Sequence, residues 1–243
     1  MTMIFDNLQR VHQRIVAACE AAGRDPAGVR LLAVSKTASP EAVRQALDAG
    51  QRAFGENYVQ EGVEKILSLQ ADAVPQPVER AEWHCIGPLQ SNKTRIVAAH
   101  FDWVQSIDRL KIAERLNEQR PPDLPPLQVC LQVNIDGGAN KSGVAPEDAQ
   151  ALAQAVSRLP RLVLRGLMAI PEPGADFAAD RAVHVRARAL FDAINASGVL
   201  QQPMDTLSLG MTADLEAAIH AGSTMVRIGT AIFGSRPPVG SQA

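Results

Sequence analysis

Lys36 stands at the end of a short apolar run near the N-terminus. Leucine, alanine and valine fill positions 31–34, Ser35 follows, and a helix is predicted to begin near Ser39. The carboxyl end of a strand is where β/α barrels build their active sites. The Lys36 amine could therefore form a Schiff base with an aldehyde, although a lysine at such a position can also extend into solvent without a function.

Two glycine turns near the C-terminus predict an anion-binding site. The sequence SLGMTAD predicts a strand, a tight turn at Gly210 and a helix that begins at Met211 and Thr212, whose free amides and hydroxyl face one side. The sequence VRIGTAIFG adds a second turn at Gly229 and Thr230. Either glycine alone could be an ordinary turn residue. Because the loops after strands seven and eight of a β/α barrel frequently bind phosphate, the pair predicts a phosphate pocket.

Arg227 lies within an otherwise apolar segment that we predict to be a strand from Met225 to Phe233. A buried guanidinium is costly without a polar partner, so the side chain is expected to meet either a carboxylate in a structural ion pair or a polar ligand. As a ligand contact it could donate to a pyridine nitrogen. Since arginine stays protonated, it would leave that nitrogen unprotonated.

Further polar residues lie near the ends of predicted strands. Asn57 ends the second strand and His84 lies in the third, both toward the same mouth as Lys36. Each of them could contact a ligand or could be a structural residue with internal hydrogen bonds. Asn134 and Lys141 are weaker candidates for the mouth. The remaining histidines lie on predicted helices and are assigned to surfaces or packing: His12, His100, His184 and His220.

Eight short apolar runs alternate with helical stretches, which predicts a parallel sheet with helical crossovers. About eight such units favour a closed barrel over a doubly wound open sheet. We therefore predict the α/β class, with a single TIM-type (β/α)8 barrel domain over residues 1–243. Apolar residues at helical spacing, followed by Gly23, predict an additional N-terminal helix: Ile4, Leu8, Val11, Ile15 and Cys19.

The composition argues against several classes of partner and site. The formal net charge of −2 provides no field that would attract nucleic acid or an anionic membrane. The three cysteines are odd in number and lack CxxC spacing, so that neither a disulfide framework nor a zinc site is predicted. We find no signal peptide and no run of about 20 apolar residues. These features predict a cytoplasmic protein without a metal, which we expect to be a monomer.

Together these stretches resemble the pyridoxal phosphate homeostasis protein family over nearly the whole chain. The matching segments occur in the family's order and spacing: AVSKT, FGENYVQE, WHCIGPLQSNK, LMAIP, SLGMTAD and VRIGTAIFG. The family is similar to the barrel half of alanine racemase, in which a lysine at the end of strand one holds pyridoxal 5′-phosphate. The resemblance therefore implies this cofactor, bound as a Schiff base to Lys36.

The resemblance also implies roles for other residues of the site. Arg227 would be the partner of the pyridine nitrogen, and Asn57, His84 and Met168 would lie near the ring or its surroundings. The phosphate would be surrounded by Ser208, Gly210, Met211, Thr212, Gly229 and Thr230.

A few positions depart from the family pattern. Thr212 stands where serine is usual, which keeps the hydroxyl. Gly138 and Ala139 stand where family members often carry an acidic residue, so a role for that carboxylate in cofactor release is not implied for this chain. Ala169 replaces a common threonine.

The same site admits more than one function. Racemisation needs a base on each face of the substrate, and the resemblance to alanine racemase brings only Lys36, since the second base there is a tyrosine of another domain. We therefore predict a non-enzymatic protein of vitamin B6 homeostasis, which delivers the cofactor to apo-enzymes or exchanges it with free amino acids. The alternatives are a slow racemase that uses Lys36 with water or Tyr58, and a cofactor-free Schiff-base aldolase.

Overall fold

The fold is a closed barrel of eight parallel strands, in which each strand pairs with its neighbour in the chain and the first pairs with the last. The structure is a computed structural model that describes residues 2–71, 80–138 and 142–234. The predicted (β/α)8 class is confirmed. The strands are β1 (Arg30–Val34), β2 (Ala53–Glu56), β3 (Glu82–Cys85), β4 (Trp103–Ile107), β5 (Leu127–Gln132), β6 (Leu162–Met168), β7 (Thr206–Ser208) and β8 (Met225–Ile228).

Helices connect the strands and cover the barrel. The described ranges contain two short 3-10 helices, Pro26–Gly28 and Ser91–Lys93. None of the helices in these ranges combines the length and the apolar character needed to cross a bilayer. The α-helices are α1 (Met3–Ala21), α2 (Pro40–Asp48), α3 (Val59–Ala71), α4 (Thr94–His100), α5 (Leu110–Gln119), α6 (Pro146–Ser157), α7 (Phe177–Ala196), α8 (Leu215–His220) and α9 (Thr230–Phe233).

The predicted N-terminal helix is present as α1. Its N-cap is Thr2, and its apolar face is buried at all five predicted positions. Gly23 has a φ of +63°, the left-handed conformation that glycine adopts without strain. This turn lets the Arg24 amide donate back to the Cys19 carbonyl oxygen at 2.8 Å, which closes the helix end.

Strand geometry decides which side chains enter the barrel. Successive residues of a strand point to opposite faces. Leu31 and Ala33 belong to the large core between strands and helices. By this alternation Ser35 faces the helices and Lys36 faces the barrel mouth. Leu32 and Val34, which alternate with these residues in β1, belong to a separate buried cluster inside the barrel. The other members of this cluster are Ala53, Ile86 and Met225.

The prediction of one strand from Met225 to Phe233 is wrong. β8 ends at Ile228, and α9 follows after Gly229. The amides of Ile232 and Phe233 donate to the Gly229 carbonyl oxygen at 2.8 and 3.0 Å. The apolar run continues past the strand because Ile232 is also buried, so hydrophobicity alone does not mark the change from strand to helix.

We predict that Gly166→Ala destabilises the barrel by about 2 to 4 kcal/mol, because a Cβ at this position of β6 would overlap the Thr206 carbonyl oxygen of β7. Urea denaturation measures the change in the free energy of unfolding. Gly28→Ala is the matched control, since a Cβ there meets no atom within 4 Å. Equal stability of the two variants would contradict the tight β6–β7 packing.

Candidate functional site

A cavity of about 640 Å³ opens at the carboxyl ends of the strands. A second cavity of about 600 Å³ lies at the opposite end of the barrel, where the ion pairs Arg30–Glu82 and Arg165–Asp205 line it. Because β/α barrels place their chemistry at the carboxyl ends of the strands, the first cavity is the candidate site. Residues predicted for the site that line it are Lys36, Asn57, Met211, Thr212, Arg227, Gly229 and Thr230.

Lys36 enters this cavity through its place two residues after the end of β1. Val34, the preceding inward residue, also lines the cavity, and the Lys36 side chain is partly buried. Ile86 and Phe233 contribute apolar surface to the same walls. An amine in these surroundings can condense with an aldehyde whose polar end is held elsewhere in the cavity.

Two loops line the cavity with residues whose backbone amides are unpaired in the described chain. Thr212 and Ala213, after β7, and Gly229 and Thr230, after β8, line it, and their amides have no hydrogen-bond acceptor in the part of the chain that the structure describes. Gly229 lies so close to β1 that a Cβ would come within 3.0 Å of the Val34 carbonyl oxygen. Such a set of N–H groups can bind an anion such as phosphate.

The predicted helix start at Met211 and Thr212 is wrong. α8 begins at Leu215, with Asp214 as its N-cap residue. The Met211 amide donates to the Asp214 carboxylate at 2.7 Å, so this amide is not free for a ligand. Because Asp214 accepts this hydrogen bond, residues 211–214 form a local turn where the first turn of a helix was predicted.

Helix α1 holds both loops from outside the cavity. Arg14 donates to the Thr212 carbonyl oxygen at 3.0 Å and makes two hydrogen bonds to the Glu216 carboxylate, each of 3.0 Å. Asn7 donates to the Ile232 carbonyl oxygen at 2.8 Å. These contacts could not be predicted from the sequence, because polar side chains on the exposed side of an amphipathic helix give no sign of a distant partner.

Asp214 is a second support of the loop after β7. Its other carboxylate oxygen lies 2.9 Å from Nε2 of His184, a buried residue of α7 that the sequence assigned only to surface or packing. Burial acts to raise the pKa of Asp214, but the hydrogen bonds from His184 and the Met211 amide outweigh it and lower the pKa. The carboxylate therefore stays ionised at neutral pH. An aspartate before the helix-forming sequence LEAAIH was a readable N-cap signal.

Arg227 lies at the inner wall of the cavity with its donors directed to neighbouring strands. It donates to the carbonyl oxygen and the hydroxyl of Ser208, at 2.6 and 2.9 Å, and to the Ala169 carbonyl oxygen at 2.8 Å. Burial lowers the pKa of Arg227 to about 10, which still leaves it a cation. No carboxylate of the described residues forms the ion pair that the sequence left open.

A chain of hydrogen bonds runs from Arg227 through the barrel interior. The Ser208 hydroxyl donates to Gln105 at 2.7 Å, and the Gln105 amide donates to Nδ1 of His84 at 2.9 Å. His84 is then the tautomer with a proton on Nε2, which donates to Glu82 at 2.6 Å. Burial lowers the pKa of His84, which keeps it neutral. Every link donates toward the Glu82 carboxylate at the base of the barrel.

Several residues predicted for the site do not line the cavity. His84 is occupied by this chain and stacks on Trp103, and Ser208 is occupied by Arg227 and Gln105. Met168 packs in a buried cluster with Trp103 and Cys130. Gly210 forms a turn with a φ of +89°. The weaker candidate Asn134 also does not line the cavity; Lys141 and Ala139 are outside the described residues.

Asn57 is a polar residue of the cavity wall with unused hydrogen-bonding capacity. It lines the cavity, and its buried side-chain oxygen has no hydrogen-bond partner in the described ranges. Gly87 packs so tightly on the Asn57 backbone that a Cβ would overlap the Asn57 carbonyl oxygen. The Asn57 backbone is therefore held in place beside the cavity, and its side chain keeps one unused hydrogen-bond acceptor.

Comparison with known proteins gives consistent results across the chain. The family model for the alanine racemase N-terminal domain matches residues 7–237. The pyridoxal phosphate homeostasis protein of Pseudomonas aeruginosa is 58% identical over 236 residues, which cover 97% of each chain. That of Escherichia coli is 54% identical, over 97% of this chain and 98% of its own.

Solved structures share the architecture. A protein of unknown function from Bifidobacterium adolescentis superimposes with a TM-score of 0.87 at 38% identity, over 95% of this chain and 94% of that one. PipY of Synechococcus elongatus, solved with PLP bound, gives a TM-score of 0.79 at 33% identity, over 95% and 100%. Alanine racemase from Corynebacterium glutamicum, at 18% identity and a TM-score of 0.67, covers 99% of this chain and 62% of that one, and shows likeness of fold alone.

We predict that Arg14→Met weakens anion binding about fivefold, corresponding to roughly 1 kcal/mol, because the loop after β7 loses its bond from α1. Titration with inorganic phosphate, followed by the NMR signals of the Thr212 and Thr230 amides, measures the dissociation constant. Gln13→Met on the same helix is the control, since Gln13 is exposed. Unchanged binding in Arg14→Met would show that α1 does not order the loop.

We predict that Glu82→Gln makes folding less sensitive to acid. Burial acts to raise the pKa of Glu82, but the hydrogen bond from His84 and the charge of Arg30 help lower it to about 2, from an ordinary value of 4.5. The ionised carboxylate therefore stabilises the folded state above the unfolded pKa, and this contribution is lost as pH falls from about 5 toward 2.

Urea denaturation between about pH 7 and pH 3 tests this prediction. The wild type is expected to lose more of its free energy of unfolding over this range than Glu82→Gln. Glu20→Gln, an exposed change on α1, is expected to follow the wild type. Parallel acid profiles of the wild type and Glu82→Gln would mean that Glu82 is not held as an ionised acceptor.

Proposed function

Because this chain belongs to the alanine racemase N-terminal domain family and, within it, to the pyridoxal phosphate homeostasis proteins, we propose that it binds pyridoxal 5′-phosphate in the cavity at the barrel mouth and acts in vitamin B6 homeostasis. The single observation that carries this proposal is that the Lys36 amine shares one cavity with the unpaired amides of two loops. The relatives' names and the PLP-bound PipY structure support the same cofactor.

We propose that Lys36 holds the cofactor covalently. Its nitrogen adds to the aldehyde carbon, a C=N bond replaces the C=O bond, and the oxygen leaves as water. The reaction is reversible, so an incoming amine can take the aldehyde from Lys36 by the same chemistry. When bound, the cofactor supplies an electrophilic carbon and an electron-withdrawing ring.

The proposed phosphate contacts are the loops after β7 and β8. The amides of Thr212, Ala213, Gly229 and Thr230 supply N–H donors without any internal acceptor in the described chain. Gly210 and Ser208 do not line the cavity. Gly210 sets the shape of the loop after β7, and Ser208 holds the end of that strand. Asn57, which follows β2, supplies a further polar contact in the same cavity.

Arg227 is proposed to face the ring nitrogen of the cofactor. Arg227 lines the cavity and its guanidinium stays cationic, and a cationic donor at a pyridine nitrogen disfavours protonation of that nitrogen. A neutral ring withdraws electrons less strongly than a protonated one. His84 and Met168 would influence the ring through the barrel interior and not by lining the cavity.

The side chains around the cavity favour a carrier over an enzyme. Among the described residues that line it, Lys36 and Arg227 are the only ones with ionisable side chains, and arginine is a poor base. Tyr58, the base considered for a slow racemase, is 56% exposed and does not line the cavity. A second base for proton transfer on the opposite face is therefore missing from the described wall.

The partners that we propose are amines outside the protein. Free amino acids and the lysines of apo-enzymes can both accept the aldehyde from Lys36 through the open mouth. We also propose a cytoplasmic location, which the buried, unpaired thiols of Cys19, Cys85 and Cys130 support because such thiols persist in a reducing compartment. A monomeric state stays a prediction.

We predict that Lys36→Ala abolishes covalent attachment of pyridoxal phosphate. The wild type is expected to show a Schiff-base absorption band and, after borohydride reduction, a mass increase located at Lys36. Lys111→Ala, which removes an exposed lysine of α5, is the control and should behave as the wild type. Retention of the band in Lys36→Ala would overturn the proposed attachment.

Exchange of the Cα proton separates the carrier from the racemase. Amino acids incubated with the loaded protein in deuterated water are expected to show no turnover of their Cα hydrogen above that given by free pyridoxal phosphate. Exchange that depends on the protein and is lost in Tyr58→Phe would support the slow racemase instead.

A further inference from the structure

The two residues on either side of Lys36 are held by a group of charged side chains outside the cavity. We call Glu56, Glu61 and Lys65 the clamp. Glu56 ends β2, and the other two lie on α3. None of them lines the cavity, so their contacts concern the backbone that carries Lys36 and not a ligand.

Lys65 is the centre of the clamp. Its ammonium donates to the Ser35 carbonyl oxygen at 2.6 Å, to Glu56 at 2.9 Å and to Glu61 at 2.6 Å. These three bonds use all three of its N–H donors. Lys65 is 4% exposed and Glu56 is fully buried, so these two members are shielded from water, whereas the Glu61 side chain is 30% exposed.

The two carboxylates reach the chain on both sides of Lys36. The Ser35 hydroxyl donates to Glu56 at 2.6 Å, and the Thr37 amide donates to Glu61 at 2.5 Å. The residue before Lys36 is thus bound through its carbonyl and hydroxyl, and the residue after it through its amide. Ser35 can make these contacts because strand alternation turns it toward α3 while Lys36 turns inward.

Thr37 shows that this backbone is held against its own preference. It has a φ of +63°, and no other non-glycine residue of the described chain has a positive φ. The Ala38 amide donates to the Ser35 carbonyl oxygen at 2.9 Å, which makes Thr37 the third residue of a tight turn, a place where positive φ is normally supplied by glycine. A β-branched residue stays in this conformation only when its surroundings impose it.

The composition of the clamp is poorly explained by stability alone. Buried ion pairs are often no more stabilising than apolar residues of the same size. One oxygen of Glu56 has no hydrogen-bond partner in the described part of the chain, and burial raises the pKa of Glu56 despite the charge of Lys65. Burial of these charges therefore costs free energy of folding. Their contacts converge on the Ser35–Ala38 turn, which directs the Lys36 side chain into the cavity.

We propose that Glu61 and Lys65 are positioning residues, which hold the strained Ser35–Ala38 turn so that the Lys36 amine is directed at the aldehyde carbon of the cofactor. This inference rests on the proposed attachment of pyridoxal phosphate to Lys36. The clamp orients the amine before the aldehyde arrives, and orientation of this kind accelerates bond formation between bound groups.

The first test compares Glu61→Ala with Glu61→Gln. Glutamine keeps a side-chain oxygen for the Thr37 amide, whereas alanine removes it. The rate of attachment of pyridoxal phosphate is measured from the growth of the Schiff-base band, and the affinity of the anion site is measured separately with inorganic phosphate. We expect attachment to be slower by about tenfold or more in Glu61→Ala and within about threefold of wild type in Glu61→Gln. Phosphate affinity should be unchanged in both.

A second comparison separates positioning from general stability. Lys65→Met removes the centre of the clamp, and Arg120→Met removes another buried cation, whose three carbonyl contacts lie on other elements. Both variants should unfold more easily, but only Lys65→Met should attach the cofactor slowly. Where Lys65→Met does not fold, the double variant Glu61→Ala with Thr37→Gly replaces it. Glycine accepts the positive φ without strain, so it should restore part of the lost rate.

The outcomes are distinguishable. Attachment at the wild-type rate in Glu61→Ala, or equal slowing in Lys65→Met and Arg120→Met, overturns the clamp while leaving the proposed function intact. A wild-type protein that forms no Schiff base at Lys36 overturns the proposed function, and the clamp with it. Slow attachment with unchanged phosphate binding in Glu61→Ala, together with nearly wild-type attachment in Glu61→Gln, supports both the clamp and the proposed function.

Discussion

Successive side chains of a strand point to opposite faces of the sheet. In a closed barrel one face lines the interior and the other packs against the helices. This constraint separates the amine of Lys36, which enters the mouth, from Ser35, which turns toward α3. The protein can therefore bind the backbone on both sides of Lys36 without taking any space from the cavity. A slip of one residue in the register of β1 would exchange the two roles and remove the amine from the site.

The barrel interior combines apolar packing with one ordered polar path. Leu32, Val34 and Met225 form part of the apolar cluster, while the chain from Ser208 to Glu82 crosses the same interior. A buried polar group costs little only when every donor finds an acceptor, and the uniform direction of these bonds meets that requirement. His84 belongs to this path, which explains why a histidine next to the mouth in sequence does not face the cavity.

The sequence was most informative where strand patterns and resemblance agreed. The eight strands, the first helix and the approach of Lys36 to the loops after β7 and β8 could all be predicted. The start of α8 was missed although Asp214 is a common N-cap residue, and the start of α9 was missed because Ile232, beyond the Gly229 turn, is apolar and buried like the strand before it. The clamp could not be predicted either, since its members pair across segments with no pattern of their own. Which residues touch the cofactor stays a prediction.

The hydrogen bonds from α1 to the segments after β7 and β8 join parts of the chain that are far apart in sequence. Asn7 and Ile232 are 225 positions apart, and Arg14 and Thr212 are 198 apart. During synthesis α1 leaves the ribosome before β7 and β8, so α1 is exposed before its partners exist. The cavity between the loops after β7 and β8 is completed only once β8 has been made and the barrel has closed. A chain that stops before β8 lacks both the loop after that strand and the partner of Asn7, so the wall of the cavity at the barrel mouth is incomplete in such a chain.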